Sequence, residues 1–313
     1  MKTPAFFLMR RVRTIDAEVA GEAVRLIVEG GPSVPGRTMM EKLAWLRKSG
    51  EGLRQVLMLE PRGHAGMHGA LFTEPVSPGA HAGLLSMHAA GFPVVSGEGV
   101  IGAVTLALEN RLIEGVDSEL RIDTPAGLVR AAPRRDGDRV SKVALTLVPS
   151  FVHTPALPVQ TATRKVMVDI AFGGELYAIA DSEATGIPVD MSNESKLLRM
   201  GREIRDAIGS KLPVHGTIFT GAPRASSDLR TATVLDGAVL RRSPGATGTA
   251  ALLAVLDAMG LVVDEERFRH EGILGTVLYG RIESRQRLDD VDTITPVIEG
   301  AARVTGFHEF LNW

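Results

Sequence analysis

Ser96-Gly97-Glu98-Gly99, preceded by Val95 and followed by Val100-Ile101-Gly102 and the apolar segment Ala103 to Leu108, is the stretch whose residue types could do chemistry. A small polar residue, then glycines, then a helical run marks a chain that turns sharply into a helix. The free N–H groups at such a helix start attract an anion. A second copy, Pro244-Gly245-Ala246-Thr247-Gly248-Thr249, opens the apolar run Ala250 to Leu256. Two such turns predict two facing helix N-termini, an arrangement suited to a carboxylate and to negative charge that builds up next to it. Close backbone approach to an anion is enough to account for Gly97, Gly99 and Gly248.

Composition narrows what this site belongs to. The 313 residues suffice for two domains of ordinary size, and 44% hydrophobic with 23% charged residues is the composition of a soluble globular protein. With 35 basic and 37 acidic residues the net charge is −2, which argues against a nucleic-acid groove or a membrane-surface patch. There is no cysteine, so disulfides, thiolate metal sites and cysteine nucleophiles are excluded. Met1 to Arg13 lacks the long apolar core of a signal peptide, and nowhere do eighteen apolar residues run together. The reading is a cytoplasmic protein without nucleic-acid or membrane partners. No dinucleotide fingerprint or Walker pattern appears, so no cofactor is expected, and Val95-Ser96-Gly97 lacks the first glycine of a hydrolase elbow. His64 and His68 have the spacing of metal ligands on a helix, but Gly63 and Gly66 argue against a helix there and no third ligand presents itself.

The elements that would hold the two turns follow from periodicity. Val12 to Val19 and Ala23 to Val28 alternate around a Gly-containing break, a hairpin signature. Thr38 to Ser49 reads as a helix, capped by Thr38 with Glu41 three residues on and stopped by Gly50. Gln55 to Glu60, Ala70 to Thr73, Ala82 to Met87, Leu120 to Thr124 and Val140 to Val148 read as short strands, and Pro149 to Pro158, with three prolines, as a domain boundary. Beyond it strands are predicted at 165–171, 176–180, 217–220 and 231–235. A helix is predicted from Ser195 to Leu212 with Leu198, Ile204 and Ile208 on one face, and the tail adds strands at 276–282, 293–299 and 302–310. Helix starts 149 residues apart (Ser96 to Gly245), each set among short strands, suggest an internal duplication.

With these residues in view, the chain resembles the proline racemase family, which includes hydroxyproline 2-epimerases and trans-3-hydroxyproline dehydratases. Glu60-Pro61-Arg62-Gly63-His64-Ala65-Gly66-Met67 is similar to the family's EPRGHxxM stretch and Asp169-Ile170-Ala171-Phe172-Gly173-Gly174 to its DxAFGG stretch. Ile273 to Thr276 and Ile298 to Gly306 also fit. The resemblance implies an α+β fold of the diaminopimelate-epimerase type, two pseudo-symmetric barrel-like domains each wrapped around a central helix. The expected halves are 1–152, completed by about 297–313, and 153–296, with the active site in the cleft between them. It implies a small amino-acid substrate, no cofactor, and allows a homodimer. Gly97, Gly99, Gly245, Ala246 and Thr247 would bind the substrate carboxylate, with Asp169 and Arg241 also on the substrate.

The chemistry-bearing positions depart from the family. Against its MCGHG motif stands Val95-Ser96-Gly97-Glu98-Gly99, and against DRSPCGTGT stands Arg241-Arg242-Ser243-Pro244-Gly245-Ala246-Thr247-Gly248-Thr249. Serine and glycine replace the two cysteines that act as base and acid, and Glu98 and Arg241 replace the histidine and aspartate that hold the amine. A thiol titrates near ~8.5, whereas a serine hydroxyl lies many units higher and needs help to act as a base. Gly245 has no proton to give or take. Three readings follow. In the leading one, Ser96 or Glu98 removes the Cα proton and a β-substituent leaves, as in the family's dehydratases. In the second, water or Thr247 supplies a second proton for epimerisation. In the third, the chain is a non-catalytic binding protein, or an enzyme for a more acidic amino acid held by Glu98 and Arg241. Those two side chains could equally form an ion pair with each other.

Overall fold

A computed structural model of the chain describes residues 10–114, 118–224, 226–235, 239–262 and 266–312; residues 1–9, most of the Met1–Arg13 stretch read above, lie outside them. The first two alternating runs pair as the hairpin β1 (Arg10–Val19) and β2 (Glu22–Glu29). Helix α1 (Met39–Ser49) starts where Thr38 accepts the Glu41 N–H at 3.1 Å, and stops at Gly50. Next comes α2 (Glu51–Met58), which corrects the strand expected over 55–60. Six residues were too few to show a period; from Glu51 onward Leu53, Val56 and Leu57 repeat at helical spacing and are buried.

Strands β3 (His68–Thr73) and β4 (Ala82–His88) lead into α3 (Gly97–Glu109), and β5 (Leu120–Thr124), β6 (Gly127–Asp136) and β7 (Arg139–Thr146) follow it. The proline-containing segment expected to be a boundary is strand β8 (Phe151–Gln160). It pairs with β9 (Lys165–Phe172) through two register shifts, the kind of irregularity that accommodates proline in a sheet. The remaining elements are β10 (Leu176–Asp181), α4 (Ser182–Thr185), α5 (Glu194–Ile208), β11 (Gly216–Gly221), β12 (Leu229–Leu235), β13 (Val239–Leu240), α6 (Ala246–Ala258), β14 (Phe268–Glu271), β15 (Val277–Leu288), β16 (Val291–Gly300) and β17 (Ala302–Asn312). Helix α5 stops at Gly209 (φ +77°), short of the expected Leu212, and its fully buried face is Leu197, Met200 and Ile204, with Leu198 and Ile208 only partly buried.

Two helices organise this sheet. Helix α3 packs against β1, β2, β3, β6, β7 and β17, and α6 against β8, β9, β10, β15 and β16. Both are buried around their whole circumference, every residue from Gly97 to Leu108 and from Ala246 to Val255. A helix of that kind belongs in the middle of a core. Val100, Ile101, Val104 and Leu106 lose all exposure, each worth about 1.5–3 kcal/mol of burial. The two helices contact each other, and Ala246, Ala250 and Leu253 of α6 share the core cluster of α3. Strand β17 comes back from the far end of the chain to pair with β1 over its full length.

Candidate active site

The two helix starts meet. Ser96 caps α3 from an extended conformation, its Oγ accepting the Gly99 N–H at 3.1 Å. Gly245 precedes α6 at φ +85°, in the left-handed region that favours glycine, and offers no side chain as a cap. A Cβ on Gly97 would fall 2.3 Å from the Ala246 Cβ, so the contact between the helix starts exists only because Gly97 has none.

A carboxylate of the chain itself lies at this junction. Glu98 is fully buried, and its Oε1 accepts the Ser243 hydroxyl at 2.6 Å and the Ala246 N–H, the first of α6, at 3.1 Å. Arg241 Nη2 stands 3.0 Å from Oε2, so the two exchanged residues form an ion pair. Burial pushes the Glu98 carboxyl up, but Arg241 and the donors around it outweigh burial and hold it below the ordinary glutamate value. Arg241 is buried too, and the carboxylates facing it keep it a cation. The positive end of α6 is thus neutralised from within the fold.

His68, at the start of β3, was set aside above as an unlikely metal ligand, and it belongs to this cluster. Its Nδ1 lies 3.1 Å from Ser96 Oγ and its Nε2 lies 3.3 Å from Arg241 Nη2. A guanidinium can only donate, so Nε2 accepts and the ring proton sits on Nδ1, where it donates to Ser96. Burial, and after it Arg241, pulls His68 down to about 3, so the ring is neutral. Ser96 Oγ therefore accepts two N–H donors, from His68 and Gly99, and its own proton is free to point elsewhere.

Beside the cluster lies a cleft of about 470 Å³. Its walls include Glu22, His68 and His88 from β2, β3 and β4, and Glu175, His215 and Arg241 from the segments next to β10, β11 and β13, and it opens onto these side chains rather than onto the helix starts. Glu175 follows the Gly173-Gly174 turn and reaches across to accept the Val94 N–H at 3.0 Å; burial pushes its carboxyl up to about 7. Tyr177 Oη is 2.7 Å from Thr247 Oγ1, and burial pushes the phenol up to about 12, so it stays protonated.

Ser96, Gly97, Glu98, Arg241, Gly245, Ala246 and Thr247 are therefore brought together, with Gly99 one position further into α3. Asp169 is not. It lies on β9, where its Oδ1 accepts the Ala156 N–H at 2.8 Å across the irregular stretch of the β8–β9 pair, and it lines none of the cleft. Sequence reasoning missed the part His68, Glu22 and Glu175 play. The available signal for the last two was an acidic residue directly after a glycine turn. Among the described residues no group of three or more His, Cys, Asp or Glu side chains is arranged to hold a metal, and no helix is long and apolar enough to cross a membrane.

Two helix-centred strand assemblies with their helix starts joined at a buried polar cluster define an α+β protein of the epimerase type. The chain belongs to the proline racemase family, whose sequence profile matches residues 14–312. It is 36% identical over 312 residues to a trans-3-hydroxy-L-proline dehydratase of Bacillus thuringiensis subsp. konkukian, covering 95% of this chain and 93% of that protein. It is 32% identical over 317 residues to a proline racemase of Clostridioides difficile, covering 96% and 95%. The crystal structure of a hydroxyproline epimerase from Agrobacterium vitis, with bound trans-4-hydroxy-L-proline, superposes with a TM-score of 0.90 at 27% identity, over 96% of this chain and 93% of that one. These relatives place the chain among enzymes of the racemase and dehydratase type.

Proposed function

We propose that the protein removes the Cα proton of a proline-type amino acid from one face and expels a β-hydroxyl, a dehydration of the trans-3-hydroxyproline type. The observation that carries this reading is the asymmetry of the two helix starts. The α3 side bears Ser96 and Glu98, while the α6 side presents Gly245, with no side-chain proton. The two hydroxyls near the start of α6 are engaged, Thr247 with Tyr177 and Thr249 with the Gly245 carbonyl and His270. Racemisation needs a proton taken on one face and returned on the other, whereas elimination needs only the first.

In this reading the substrate carboxylate displaces Glu98 from the Ala246 N–H, and Gly97, Gly99, Ala246 and Thr247 line its seat. The acceptor of the Cα proton is the displaced Glu98 carboxylate, which gains basicity on losing its donors, or Ser96 Oγ, which takes that proton while passing its own hydroxyl proton to the same carboxylate. The C–H electron pair forms the Cα–Cβ double bond as the Cβ–O bond breaks. The proton taken and the hydroxide released leave together as water, so the charge of the site is restored.

The test is incubation with L-proline and the 3- and 4-hydroxyproline stereoisomers in deuterium oxide, with Cα exchange and product followed by NMR. Consumption of a 3-hydroxyproline without formation of its Cα epimer is expected. Loss of exchange in Ser96→Ala assigns the base to serine, and loss confined to Glu98→Gln assigns it to the carboxylate. Epimer formation without loss of water would overturn the reading.

A further inference from the structure

Glu22 opens β2, directly after the Ala20-Gly21 turn. Its Oε1 is fixed by two backbone donors from the other end of the chain, the Arg242 N–H at 2.7 Å and the Ser243 N–H at 3.2 Å. Its Oε2 has no hydrogen-bond partner at all, although the side chain is only 1% exposed. Arg241 does not meet the need: its Nη2 is committed to Glu98 and its Nε stands 3.8 Å from the other Glu22 oxygen, forming no hydrogen bond. The free oxygen is buried beside Gly66, and Glu22, Gly66 and Val239 all line the cleft. A carboxylate oxygen held rigidly, buried and without a donor carries a desolvation cost that a cationic donor would relieve.

We propose that Glu22 Oε2 binds the protonated amine of the amino-acid ligand. The inference rests on the reading of the cleft as an amino-acid site, and makes Glu22 the residue that selects an amino acid over a plain carboxylic acid. Glu98 cannot serve this purpose while it is neutralised by Arg241. Among the polar side chains the cleft wall also carries Phe92, Pro93, Val214, Leu235 and Val239, an apolar contribution that suits a small aliphatic ring.

The experiment compares L-proline with cyclopentanecarboxylate, the same ring and carboxylate without the nitrogen, by calorimetric titration of the wild type and Glu22→Gln. The glutamine keeps an oxygen for the Arg242 and Ser243 N–H groups but turns an N–H donor toward the amine. Wild type should prefer proline by about ten- to a hundredfold, the value of a charged hydrogen bond. In Glu22→Gln that preference should collapse, with cyclopentanecarboxylate affinity held within about twofold. A preference that survives the substitution overturns the inference, as does equal weakening of both ligands, which would mean that Glu22 only braces the Arg242–Ser243 loop. Wild type that binds neither ligand overturns it too. A Glu22-dependent preference without any Cα exchange sinks the proposed reaction and leaves the inference standing. Exchange with a preference indifferent to Glu22 does the reverse.

Discussion

Replacing Glu98 by alanine should move stability and ligand affinity in opposite directions. The substitution leaves the buried Arg241 without the carboxylate 3.0 Å away, and removing one partner of a buried pair costs about 3–5 kcal/mol. Glu22, whose Oε1 is 3.8 Å from Arg241 Nε, remains and puts the loss toward the lower figure. At roughly 2.1 cal/mol/K per residue over 313 residues, the melting temperature should fall by about 5–8 °C at most. At the same time the Ala246 N–H and the end of α6 lose the carboxylate that occupies them. An anion in a favourable, partly buried place at a helix start is worth up to ~2 kcal/mol, so affinity for proline or cyclopentanecarboxylate should rise by as much as about thirtyfold. Calorimetric titration and a thermal melt on the same preparation check both halves, and added carboxylate should restore part of the lost stability. Affinity equal to or below that of wild type would show that Glu98 does not occupy the ligand's place. An unchanged melting temperature would show that its pair with Arg241 carries no net stability.

Two further outcomes follow from the same cluster. Gly97→Ala places a methyl group where Ala246 already stands, and should destabilise by about 1–3 kcal/mol, with Ala246→Gly on the same chain recovering most of it; thermal melts of the single and double variants decide. Glu175 holds a proton in the folded state up to about pH 7 that the unfolded chain releases near its ordinary 4.5. Its contribution is therefore full below about pH 4.5 and is lost as the pH rises through 7. Glu175→Gln should remove a decline of about 2–3 kcal/mol across that window, read as urea midpoints between pH 5 and 8. An identical decline in the variant would assign it to other groups.

The helix starts were legible because their signals are local: a polar cap or a glycine, then an uninterrupted apolar run. The same holds for α1, where Thr38 and Glu41 lie three residues apart. The six-residue window at 55–60 cannot separate the two periods and hides helix α2, and the prolines of 149–158 hide the strand β8, whose register shifts accommodate proline. The site was half legible. Ser96, Glu98, Arg241 and Gly245 stand out against the family motifs, and their types allow an ion pair between Glu98 and Arg241. What the pair occupies was not visible, because the Ala246 N–H reaches Glu98 across 148 positions and Ser243 across 145. His68 and Glu22 acquire their meaning from burial and from partners equally far away, Arg241 for the one and the Arg242–Ser243 backbone for the other. No local pattern encodes a neighbour of that kind.

The pairing of β17 with β1 sets an order on how the protein comes into being. Strand β1 lies between β2 and β17, so one of its two edges is closed by residues 302–312, which leave the ribosome long after it. At ordinary rates of translation, roughly 15–60 s separate the emergence of the hairpin from that of its final neighbour. Throughout that interval a strand bearing Val12, Ile15 and Ala17 presents unpaired backbone groups, the kind of edge that recruits other chains. Whatever shields the nascent chain must cover that edge until residues 302–312 have emerged. A deletion of 302–312 would leave the edge open for good.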